Sequence, residues 1–123
     1  LILIAVGLVH LLPVTGVLGG ERLQVLYGIA VEDHTLAILL RHRAVLFALI
    51  GVVLIVAALH DPWRGPALVA GLLSMLSFIL IAVLEGGGNA AIARVVRVDI
   101  AASCGLLLVA GYDLYRLVSG NST

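Results

Sequence analysis

Asp99 and Ser103 stand four residues apart, the spacing that puts two side chains on one face of a helix. The block that follows Asp99, Ile100 to Tyr112, contains no charged residue. As an α-helix it spans roughly 20 Å, against about 30 Å of bilayer hydrocarbon. A helix crossing a membrane here must carry Asp99, and with it Arg97 or Asp113, below the headgroup level. An ionisable side chain at that depth is costly and normally faces a partner or a wet cavity.

His10, Arg41, His42, Arg43, Glu85, Asn89, Arg94 and Arg97 are the groups that could meet Asp99 and Ser103 at one end of a helical bundle. Ser74, Ser77, Ile81 and Glu85 fall on one helical stripe that leads toward the same end. Together these residues predict a polar pocket that binds an amphiphile. Arginine forks suit an anionic or carbonyl-bearing head, and the apolar half of the bundle suits a tail. The competing reading is structural: Asp99, Glu85 and the arginines pair to close the bundle, and the serines pack helices. Arg41 and Arg43 are two apart and cannot share a helix face. One is expected to turn inward toward Asp99 or Glu85 and the other outward.

Other chemistries find less support. His10 and His42 on neighbouring spans could ligate a haem iron, although a hydrogen-bonded histidine is the commoner outcome. No helix carries a His-x-x-x-His or Glu-x-x-His pair, so a metal site would need several spans to converge, and no metal ligands are assigned. Glu85-Gly86-Gly87-Gly88-Asn89 lacks the residue order of a phosphate loop and reads as a flexible helix stop. No Gly-x-Ser-x-Gly elbow is present, and no catalytic residue is assigned.

The elements that must position these groups are hydrophobic. Of 123 residues, 63% are hydrophobic and 11% charged; soluble domains run nearer about 25% charged. That much apolar surface exceeds what a small soluble core can hide, so lipid is the second solvent. The formal net charge is zero, which argues against nucleic acid as a partner. All seven basic residues are arginine. Cys104 is the single cysteine, so intrachain disulfides and multi-cysteine metal sites are excluded.

Four apolar runs, at about 1–18, 36–59, 67–84 and 95–118, predict an all-α, integral membrane four-helix bundle that forms a single domain over residues 1–123. Three further runs follow the first, so it reads as a span and not as a signal peptide. The chain does not open on Met, which predicts residues before Leu1. The first connection could hold a short interfacial helix with Leu23, Leu26 and Tyr27 on its buried face.

Tracing the spans puts Glu21, Arg22, Glu32, Asp33, His34, Arg41, His42, Arg43, Glu85, Arg94, Arg97 and Asp99 at one side of the membrane, side A, with His10 toward the same end. His60, Asp61, Arg64, Asp113 and Arg116 fall at side B. Side A holds the larger share of the arginines, which would place it in the cytoplasm by the positive-inside rule. Trp63, Tyr112 and Tyr115 at side B read as an interfacial aromatic belt. Gly16 and Gly20, Ala67 and Gly71, and Ala101 and Gly105 are spaced for close helix contact.

Val9-His-Leu-Leu-Pro-Val-Thr-Gly-Val-Leu-Gly19, Leu26-Tyr-Gly28, Leu40-Arg-His-Arg-Ala-Val-Leu-Phe47 and the stretch from Asn89 through Arg94 to Asp99 resemble a group of short bacterial four-span membrane proteins. The resemblance covers nearly the whole chain. Some members carry the label phosphopantetheine adenylyltransferase, which this sequence contradicts: it has no His-x-Gly-His motif and no parallel-sheet pattern. The layout is also similar to DoxX-like four-span proteins, some of them subunits of quinone-linked oxidoreductases. That likeness is of topology and carries no residue across.

The function expected is binding of a lipid-like or quinone-like ligand in the side-A pocket of a multi-pass plasma (inner) membrane protein. It could act as an accessory subunit of a membrane complex or as a homo-oligomer. The alternatives are a small membrane enzyme or redox subunit, using haem or quinone and His10 or His42 with Asp99 or Glu85, a transporter component, and a purely structural subunit.

Overall fold

Asp33 and Asn89 start the two longest helices, each with its own side chain. The Asp33 carboxylate accepts the backbone N–H groups of Thr35 at 2.6 Å and Leu36 at 3.1 Å, and the Asn89 carbonyl oxygen accepts that of Ile92 at 3.0 Å. Each satisfies donors that a helix N-terminus otherwise leaves without partners. In the computed structural model, which describes residues 1–120, the helices are α1 (Ile2–Leu11), α2 (Gly20–Tyr27), α3 (His34–Leu59), α4 (Arg64–Leu84) and α5 (Ala90–Val118). Short 3-10 segments cover Leu12–Leu18 and Asp61–Trp63. The described residues contain no strand, so the chain is all-α, as its apolar runs predict.

The bounds differ from the sequence expectation for local reasons. Pro13 lies in the first turn of the 3-10 segment and has no N–H to continue an α-helix. The first apolar run is therefore ten α residues followed by seven 3-10 residues. At about 1.5 and 2.0 Å per residue its contour is about 29 Å. The Asn89 cap begins α5 five residues before the expected Val95. Pro66 is inside α4, in its first turn, where a missing N–H costs nothing. Gly28 ends α2 with φ 67°, the left-handed conformation that favours glycine.

Helix α1 packs on α3, α3 on α4, α4 on α5, and α5 closes on α1. The result is a ring of four helices, with α2 lying across the 3-10 segment and α5. Each helix buries one stripe. In α1 it is Leu3, Val6, Gly7 and His10; in α5 it is Asp99, Ala102, Ser103 and Leu106. Both follow the i, i+3, i+4, i+7 spacing of a single helix face. Leu54, Ala57, Ala67, Met75 and Leu106 form the centre of the core.

The tightest approach is between α1 and α3. A Cβ on Gly7 would sit 2.8 Å from the Gly51 carbonyl oxygen, and one on Gly51 would sit 2.7 Å from that of Gly7. The two backbones touch because neither residue has a side chain. Of the expected small-residue pairs, Ala67 and Gly71 are buried together, whereas Ala101 is exposed.

Much of the outward surface is apolar as well. Leu39, Leu49, Leu73, Leu80, Leu107 and Leu108 are all exposed. Helix α3, with 26 residues, and the Asp61–Leu84 segment, with 24, are long and apolar enough to cross a membrane. Ile2–Leu18 is apolar and shorter.

Candidate functional site

Two arginines two residues apart on α3 have opposite fates. Arg41 is exposed, while Arg43 is half-buried and turned into the bundle. Its guanidinium carbon lies 4.3 Å from the centre of the Phe78 ring, 4.9 Å from Phe47 and 5.7 Å from Tyr27. All three distances fall within the range in which a cation is attracted by a ring face, a contact that strengthens as water is removed. Phe47 stands one turn after Arg43 on α3, Phe78 comes from α4, and Tyr27 from the end of α2. The Nε of Arg43 is buried and has no hydrogen-bond partner.

Arg43 heads a cleft of about 420 Å³ between α3 and α4. Phe47, Phe78, Ser74 and Ser77 line it near the arginine, and Ile50 and Leu73 line it further on. The serine stripe of α4 thus faces this cleft. The Ser77 hydroxyl donates to the Ser74 carbonyl oxygen at 3.0 Å, which leaves both hydroxyl oxygens able to accept.

Behind Arg43 lie the buried polar side chains of α1 and α5. His10, Asp99 and Ser103 are each at most 4% exposed. His10 stacks on Phe47, with ring centres 5.4 Å apart. Its Nδ1 donates to the Val6 carbonyl oxygen at 2.9 Å. A carbonyl only accepts, so Nδ1 carries a proton, and in the neutral ring Nε2 is a bare lone pair. Nε2 of His10, Oδ2 of Asp99 and Oγ of Ser103 are all buried without hydrogen-bond partners. Ile2 at the start of α1 meets Gly105 on α5, and the chain beyond α1 meets Asn89 at the start of α5. The two helices are therefore antiparallel. Counting about 1.5 Å per residue from the Ile2 contact puts His10 within about one turn of the level of Asp99.

The remaining residues named from the sequence do not join this group. His42, Glu85, Arg94 and Arg97 are exposed. His10 and His42 do not face one another, since one is buried and the other turned out. Asn89 is a fastener: its side-chain nitrogen donates to the Tyr27 carbonyl oxygen at 2.8 Å. Among the described residues no group of three or more His, Cys, Asp or Glu side chains is placed to hold a metal.

The ion pairs among the described residues join Arg64 to Asp113 and to Asp61. Neither Asp99 nor Glu85 takes part, so the expected closing pairs of the side-A arginines do not form. The aromatic surround of Arg43 explains the difference: three ring faces hold the guanidinium where a carboxylate contact was anticipated. The i, i+4 spacing of Arg43 and Phe47 was the one local signal of it.

Comparison with known proteins adds no assignment: no family model matches the chain, no curated protein matches it, and no solved structure matches it.

Proposed function

We propose that the chain is a four-span integral membrane protein that binds an amphiphile, with its anionic or carbonyl head at Arg43 and its tail in the α3–α4 cleft. The span reading rests on apolar outward faces along α3, α4 and α5. It also rests on the 29 Å contour of the first run, close to the hydrocarbon thickness. Helix α5 crosses with its internal charge hidden, because Asp99 lies on the buried stripe.

The observation that carries the ligand reading is the state of Arg43. It is a half-buried cation flanked by three aromatic rings, with an unpartnered Nε, at the head of a cleft whose far wall is aliphatic. Pockets for small molecules combine an apolar lining with a few convergent polar groups. A lipid-like or quinone-like molecule matches that order of chemistry. In a bilayer it would enter sideways, between helices that already face acyl chains.

The test is organic extraction and mass spectrometry of protein purified gently from membranes, beside the Arg43→Leu variant. A stoichiometric amphiphile lost in the variant supports the reading. Equal ligand content in both proteins overturns it, and recovery of the protein in the aqueous fraction overturns the membrane assignment.

A further inference from the structure

A second groove, of about 560 Å³, runs between α4 and α5 from the side-B end. Asp61, Arg64, Asp113 and Arg116 stand at its outer end, and Leu68, Leu72 and Ala110 line it one to two turns further in. Gly65 also lines it, and a Cβ there would meet nothing within 4 Å. The space above Gly65 is therefore open. Trp63, Tyr112 and Tyr115 lie at this end and are all exposed, and such rings sit at headgroup depth in a bilayer.

The four charges form a row. Arg64 gives Nε and one terminal nitrogen to Asp113, at 3.0 and 2.7 Å. Its other terminal nitrogen stands 3.8 Å from the Asp61 carboxylate, too far for a hydrogen bond. Arg116 comes three residues after Asp113 on α5, a spacing that puts two side chains on one helix face about 5–6 Å apart. It is half-buried, lines the same groove and makes no ion pair among the described residues. The inner two charges thus satisfy each other. The outer two, one carboxylate and one guanidinium, are left open, and the row sums to zero. A simple anion at Arg116 would leave Asp61 unmatched, and a simple cation at Asp61 would leave Arg116 so.

We infer that the α4–α5 groove is a lipid site selective for a zwitterionic phospholipid with a primary ammonium head. Its phosphate lies on Arg116, its ammonium on Asp61, and an acyl chain runs along Leu68, Leu72 and Ala110. The inference rests on the span reading and is independent of the cleft at Arg43. A guanidinium offers paired N–H donors to phosphate oxygens. A primary ammonium carries three N–H donors for a carboxylate, whereas a trimethylated head has none. An anionic phospholipid would satisfy Arg116 and leave Asp61 facing negative charge. Both contacts lie near water, where an ion pair contributes little. The site therefore selects among abundant bilayer lipids by preference.

The experiment is native mass spectrometry of the detergent-solubilised full chain, stripped of lipid and offered dioleoyl phosphatidylethanolamine, phosphatidylcholine and phosphatidylglycerol in equal amounts. The expected result is a first bound lipid enriched in phosphatidylethanolamine, by up to about fivefold over each of the others. Asp61→Asn should remove the preference, and Arg116→Gln should weaken binding of all three. Gly65→Trp, which puts a ring in the open space, should displace the preferred lipid. Arg43→Leu should leave the preference intact. Equal uptake of the three lipids, or a preference that survives Asp61→Asn or Gly65→Trp, overturns the site and leaves the spans standing. A preference for phosphatidylglycerol overturns the zwitterion in favour of an anion site. Loss of the preference in Arg43→Leu moves it to the α3–α4 cleft and overturns the inference. Recovery of the chain in the aqueous fraction overturns the span reading and the lipid site with it.

Discussion

Arg64 and Asp113, 49 residues apart in the chain, form a two-pronged ion pair across the side-B ends of α4 and α5. Nε donates to one carboxylate oxygen at 3.0 Å and a terminal nitrogen donates to the other at 2.7 Å. Both side chains are about three-quarters buried, at 24% and 25% exposure. Planar bidentate geometry makes this the strong form of the contact. It also matches the charge that Asp113 brings to α5 with an arginine held in place.

Asp113→Ala should therefore lower stability in detergent by about 2 kcal/mol, the scale of a charged hydrogen bond with a partner left stranded. Asp61 contacts the same arginine at 3.8 Å but is 80% exposed. Asp61→Asn should stay within about 0.5 kcal/mol of the parent. Thermal unfolding of the two variants side by side checks both, and equal melting points would show that the pair contributes nothing.

Gly7→Ala and Gly51→Ala should each destabilise the bundle by about 1–3 kcal/mol, the usual cost of overpacking. The obstacle is backbone oxygen of the facing helix, which cannot rotate away as a side chain can. Gly65→Ala is the control, since a Cβ there meets nothing within 4 Å. Measured denaturation midpoints that fall for Gly65→Ala as far as for Gly7→Ala would contradict the backbone contact.

The Asp33 cap predicts a pH dependence confined to acid. Its carboxyl lies below the ordinary carboxylate range because the Leu36 and Thr35 backbone N–H groups bond its ionised form. A carboxyl lowered by folding adds stability above its unfolded range and loses it as pH falls through the lower folded value. Amide exchange at Thr35 and Leu36 should stay slow through the normal Asp range and quicken only below it. Asp33→Asn should keep the cap and abolish that change. The same acid sensitivity in the variant would place its origin elsewhere.

Asn89→Ala should cost about 1–2 kcal/mol through the lost cap and free the end of α2. Asn89→Asp separates the two roles. Its carboxylate still caps Ile92, but it faces the Tyr27 carbonyl with an acceptor. Protection of the α2 amides should then fall while the first turn of α5 stays protected. Loss of both together would mean that one contact carries the two.

Long apolar runs made the helices legible, because a helix satisfies its backbone hydrogen bonds within one segment. The short helix in the first connection was legible from Leu23 and Tyr27, the two residues α2 buries, while Leu26, expected beside them, is half-buried. Capping moved the boundaries: α3 begins at His34 and α5 at Ala90, each just after a side chain whose role is set by geometry at a single residue. The inward turn of one of the two arginines followed from helical spacing, but not which one. Phe47 and Phe78 decide that, and their convergence depends on how α3 packs on α4. The Arg64–Asp113 pair was hidden for the same reason, since nothing local joins residues 49 apart. The pocket residues divided because their shared end of the bundle has an inside and an outside, and periodicity alone does not orient a helix that is apolar all round.

Asn89 closes one further relationship, and its consequence is one of timing. A chain is made from its N-terminus, and the Tyr27 carbonyl is synthesised 62 residues before the amide that binds it. Until then the end of α2 has no latch. The same amide that secures it also caps the first turn of α5, so the first loop is fastened only once the last helix has begun. A nascent chain stopped before residue 89 would hold three of the four helices of the ring and still lack the fastening of its first loop.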